Sequence, residues 1–111
     1  MSIKTSLYYF PNDLLKQKGI VITLKDLEEI SKKYGTKITA KPDKIGSIGP
    51  ISHILLRGLL IDIIVITIEG DNEESIKATI KELYSKYGEY EVFSGKISSI
   101  AKKLKSELKK I

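Results

Sequence analysis

Ten consecutive residues in the middle of the chain, Leu59-Leu60-Ile61-Asp62-Ile63-Ile64-Val65-Ile66-Thr67-Ile68, contain a single charge. Such a run has to be buried, yet it is too short for a membrane span of roughly 20 residues. Its β-branched side chains fit a pleated surface better than a helix, so it predicts a buried strand over Leu60 to Glu69. With 41% hydrophobic and 30% charged residues in 111 positions, the chain suits one folded domain with an ordinary core. Cysteine is absent, which excludes disulfides, thiolate metal sites and cysteine nucleophiles. The opening residues Met1-Ser2-Ile3-Lys4-Thr5 show no secretion-signal pattern, and a cytoplasmic location is expected. An excess of lysine over arginine and abundant isoleucine match a thermophile-like composition.

Three helices are marked by their ends as well as by their periodicity. The first runs from Thr23 to Tyr34, with Thr23 as cap, Leu24, Leu27, Ile30 and Tyr34 on one face, and Gly35 to end it. The second runs from Asp71 to Tyr87. Asp71 or Asn72 caps it, Ile76, Ile80, Leu83, Tyr84 and Tyr87 form its stripe, and Gly88 stops it. Glu73 with Lys77, and Glu82 with Lys86, are spaced as helix ion pairs. The third runs from about Ile97 to Ile111.

Strands are expected at Ser6 to Phe10, Thr36 to Lys41, Leu60 to Glu69 and Glu89 to Phe93. Two passages repeat a pattern. Ile20-Val21-Ile22-Thr23 leads to a helix ending Lys33-Tyr34-Gly35, and Ile64-Val65-Ile66-Thr67 leads to one ending Lys86-Tyr87-Gly88. Two β-α-β halves of this kind predict an α+β two-layer sandwich of ferredoxin-like type, with four antiparallel strands. Residues 1–95 would form it, and residues 96–111 would add an amphipathic helix packed on the same domain. Pro42-Asp43 begins a turn, Ile45 to Pro50 reads as flexible, and Ile51 to Arg57 fits a short helix or a strand equally well.

The tail holds all the net charge. Six lysines, Lys96, Lys102, Lys103, Lys105, Lys109 and Lys110, face one acid, Glu107, and the remaining residues balance, so the total of +5 belongs to this segment. At about 100° per residue Ile97, Ile100, Ala101, Leu104, Leu108 and Ile111 share one arc, and the lysines occupy the rest of the circumference. A localised positive surface predicts salt-dependent contact with RNA or DNA phosphates. Alternatively the stripe Ile97, Ile100, Leu104 and Leu108 docks on another chain, which would make the protein a homodimer or an assembly subunit. No Trp or Phe marks the stripe, so membrane binding is not expected. Arg57, the single arginine, is a further candidate phosphate contact. Lys32, Lys33, Lys37, Lys41 and Lys44 form a second, looser basic stretch, largely offset by nearby acids.

Gly46-Ser47-Ile48-Gly49 is a glycine-flanked stretch that can present backbone amides to phosphate, and Gly46 and Gly49 join the candidate nucleic-acid contacts. A Walker loop would need Lys and Ser or Thr after the last glycine, where Pro50 and Ile51 stand. The stretch resembles the GxxG of KH domains, and Val65 to Asp71 with its helix resembles their third strand and last helix. It departs from them in having a strand-like Lys37 to Lys41 before the loop and no lysine within it. The order of elements is also similar in outline to the small tRNA-binding subunit of the KEOPS complex, whose helical middle has no counterpart here.

Tyr8 and Phe10 point one way from the first strand and Tyr9 the other. Without aromatics on Leu60 to Ile68 they read as packing residues rather than a base-stacking platform. His53 has no orienting carboxylate nearby, Asp62 reads as a solvent-facing or edge residue, and Glu28, Glu29, Glu73 and Glu74 read as helix surface. No grouping has metal-ligand spacing, so neither a metal nor a cofactor is expected, and nothing assigns a catalytic residue. A ligand-sensing regulatory domain is a third functional class, by analogy of fold.

Overall fold

The apolar run becomes the middle strand of a three-stranded antiparallel sheet. The structure, a computed structural model, describes residues 2–46 and 60–109. In chain order the elements are β1 (Ile3–Tyr9), α1 (Pro11–Lys18), α2 (Leu24–Tyr34), β2 (Lys37–Gly46), β3 (Leu60–Gly70), α3 (Glu73–Tyr87), a short 3-10 turn (Lys96–Ser98) and α4 (Ser99–Lys109). The strand order is β1-β3-β2. Leu7 and Tyr9 stand opposite Ile66 and Ile64, while Ile38 and Ala40 stand opposite Ile68 and Ile66. Directly opposed residues share a face. These residues therefore make the surface on which the helices pack, with Leu27, Ile30, Ile76, Ile80 and Leu83 above it.

Local chemistry fixes the helix ends. Thr23 Oγ1 accepts a hydrogen bond from the Asp26 amide at 3.2 Å, and Gly35 ends α2 in the left-handed region at φ 66°. Of the two candidate caps for α3 it is Asn72 whose Oδ1 accepts from the Ser75 amide, at 2.8 Å. Glu73 and Lys77 pair at 3.9 Å as their spacing implies. Glu82 does not pair with Lys86: it accepts from Tyr34 Oη at 2.7 Å and from Lys33 Nζ at 3.1 Å, and Lys86 reaches Asp26 at 3.5 Å instead. Neighbouring helices bring shorter-range partners than the spacing within one helix offers.

One half of the repeated pattern and one expected strand come out differently. Ile20-Val21-Ile22 joins no strand of the described sheet. Ile20 and Ile22 pack against the core while Val21 faces water. The helix α1, which the sequence did not announce, precedes it, with Pro11 in its first turn and Gly19 at φ 64° closing it.

Glu89 to Phe93 is reduced to one antiparallel bridge, in which Tyr8 N donates to Glu91 O at 2.9 Å and Glu91 N to Tyr8 O at 2.8 Å. A continued ladder would pair Phe93 with Ser6. The Ser98 hydroxyl donates to the Ser6 carbonyl at 2.9 Å and takes the acceptor that the Phe93 amide would need. The described chain is thus α+β with three strands and four α-helices.

Candidate nucleic-acid interface

The lysines of the tail are displayed by a helix anchored to its own domain. Ala101 is fully buried and Leu104 is 2% exposed, both within the main core. Tyr90 Oη donates to the Ala101 carbonyl at 2.6 Å, and the Ser98 hydroxyl ties the preceding turn to β1. Ile100 and Leu108 are half-buried against the same core. Leu104 is therefore spent inside the domain and is not open to another chain. Of the proposed docking stripe, Ile97 is the exposed residue, at 48%.

Anchoring sorts the lysines into two groups. Lys105 pairs with Glu91 at 3.2 Å and Glu89 at 3.8 Å, and Lys109 pairs with Glu89 at 2.8 Å. The hydrogen bond from Lys109 holds the Glu89 carboxyl below the usual carboxylate range, and the same bond raises the Lys109 ammonium. Lys96, Lys102 and Lys103 are exposed and have no ion-pair partner among the described residues. Glu89 and Glu91 escape sequence reasoning because, as the remains of an expected strand, they give no sign that they lie beside the tail.

The second basic stretch divides in the same way. Lys32 pairs with Glu28 at 3.5 Å, Lys33 with Glu82 at 3.1 Å and Lys44 with Asp62 at 3.4 Å. Asp62 is accordingly a solvent-facing member of a cross-strand pair. Lys37 and Lys41 are exposed without an ion-pair partner among the described residues, on the sheet face turned away from the core.

The strand β2 runs straight through Pro42-Asp43, where the sequence predicts a turn, because β3 continues opposite it as Ile64 and Ile63. It ends at Gly46 opposite Leu60, and Ser47 and Ile48 lie outside the described residues. Gly49, His53, Arg57 and Lys110, and the choice of helix or strand over Ile51 to Arg57, lie outside the described residues. Tyr8 packs against Phe93 at 4.6 Å and Phe10 at 5.6 Å between ring centroids and is only 9% exposed, as a packing residue is. Among the described residues no group of three His, Asp or Glu could hold a metal ion, and no helix is long and apolar enough to cross a membrane. Comparison with family models, curated proteins and solved structures finds no match for this chain.

Proposed function

We propose that this is a small, non-enzymatic nucleic-acid-binding accessory protein of the cytoplasm that contacts phosphates through the lysines of its C-terminal helix. The observation that carries the reading is the pairing pattern of α4. Its buried side fixes the helix, two lysines are neutralised by Glu89 and Glu91, and Lys102 and Lys103, with Lys96 in the turn before it, stay exposed and unpaired among the described residues. A rigid display of cations releases counterions from a phosphate backbone without an ordering cost for the helix itself.

We also read the sheet as a split β-α-β, ferredoxin-like arrangement whose fourth strand has shrunk to the Tyr8 to Glu91 bridge. The order β1-β3-β2, with that bridge on the outer edge of β1, supports it.

Fluorescence anisotropy with short RNA and duplex DNA, at two salt concentrations, tests the function. Affinity should fall as salt rises, and replacing Lys102 and Lys103 together by Gln should reduce the logarithmic salt slope on single strands by about 1.4, at about 0.7 for each lost phosphate contact. No binding at low salt, or binding indifferent to this pair, removes the proposal. Self-association is the second reading, favoured by the exposed Leu15, Val21 and Leu24 around the α1 to α2 junction. Light scattering at high protein concentration checks it, and a strictly monomeric species counts against it.

A further inference from the structure

A groove of about 450 Å³ runs between the outer sides of α3 and α4, lined by Lys81, Tyr84, Ser85, Leu108 and Lys109. It places a cation on each lip, Lys81 from α3 and Lys109 from α4, above a floor made by the half-buried Tyr84 ring and Leu108. Lys81 is exposed and has no ion-pair partner among the described residues. Lys109 is turned toward Glu89 at 2.8 Å, so Lys81 is the lysine of this groove left for a phosphate. Tyr84 is braced from behind by an edge-to-face contact with Tyr90, with centroids 6.2 Å apart and planes at 89°. A braced ring loses little entropy when something stacks on it.

We infer that this groove binds single-stranded nucleic acid, with a phosphate at Lys81 and an unstacked base lying on Tyr84 and Leu108. The inference rests on the nucleic-acid reading of α4 and narrows it to a strand type and a place. An aromatic ring at a surface groove can stack only on an unpaired base, because in a duplex the bases are stacked and paired inside. An unpaired cation beside an aromatic ring is how sequence-tolerant single-strand binding is built. The volume is also sufficient for a ligand of nucleotide size, within the roughly 300–1,000 Å³ of ordinary binding clefts.

The test measures affinity for a short single-stranded RNA, the matching duplex and a poly-glutamate peptide, for the full chain and three variants. Lys81→Gln should lower the salt slope on the single strand by about 0.7. Tyr84→Leu, with its fold checked by circular dichroism, should raise the single-strand Kd about fivefold or more while leaving the slope in place. Lys16→Gln, an equal loss of charge on α1, should change little. Equal losses from Lys16→Gln and Lys81→Gln would show diffuse electrostatic attraction and overturn the groove, as would duplex or poly-glutamate binding as tight as the single strand. Binding that survives Lys81→Gln and Tyr84→Leu but fails on replacing Lys102 and Lys103 leaves the nucleic-acid reading standing without the groove. Absence of any RNA or DNA binding removes both.

Discussion

Tyr90 donates its phenolic hydrogen to the backbone carbonyl of Ala101, 2.6 Å away, across a fully buried contact. This bond joins the stretch that follows α3 to the first turn of α4 and makes the C-terminal helix part of the domain. Tyr90→Phe keeps the ring and removes the bond, so it should destabilise the protein by about 1 kcal/mol. Urea unfolding followed by circular dichroism measures the loss. An unchanged midpoint would mean that packing alone holds α4 in place.

Leu104 and Ile97 lie on the same apolar stripe but in opposite environments. Leu104→Ala should cost about 2–5 kcal/mol, because it leaves a cavity in the core, whereas Ile97→Ala at an exposed site should stay within about 0.5 kcal/mol. Similar losses from both would contradict the burial of one and the exposure of the other. The same pair measured for self-association asks whether Ile97 has an external partner.

At the start of α3 the cap falls to Asn72 and not to its neighbour. Asn72→Ala should cost about 1 kcal/mol by leaving the Ser75 amide without its acceptor, and Asp71→Ala should cost clearly less. Thermal unfolding of the two variants decides the order, and a reversed order would move the cap.

Acid should weaken the attachment of α4. The Lys109 hydrogen bond lowers the folded-state pKa of Glu89, and a hydrogen bond from Tyr34 does the same most strongly for Glu82. For a carboxyl lowered in this way the unfolded chain takes up its proton first as pH falls. The stabilisation is complete above the ordinary value of 4.5 and is lost as pH drops through the lowered folded value. Melting temperatures across this range should fall less steeply for Glu89→Gln than for the unaltered protein. Parallel curves would deny the Glu89 pair a role.

In alkali the buried phenols act in the opposite direction. Burial raises Tyr9 and Tyr90 far above the ordinary phenol value of 10, and raises Tyr87 to about 12. The unfolded chain then loses phenolic protons that the folded one keeps, so stability that is full below pH 10 declines as pH rises beyond it. Tyrosinate absorbance should appear together with unfolding. Ionisation of all six tyrosines while the protein stays folded would disprove the burial of these three.

What the sequence determines by itself is local. The apolar run around Val65 can only be an inner strand, and a cap at Thr23, another at Asp71 or Asn72 and the glycines at 35 and 88 place α2 and α3, because caps, periodicity and left-handed glycines act within a few residues. The tertiary structure decides which groups meet across distance. Ser98 takes the Ser6 carbonyl and cuts the fourth strand to one bridge, Tyr34 and Lys33 draw Glu82 away from Lys86, and Glu89 with Glu91 neutralises Lys105 and Lys109. A hydrogen-bond acceptor or a carboxylate goes to the best-placed of several competing donors. That choice depends on how the layers pack, to which spacing along the chain gives no guide.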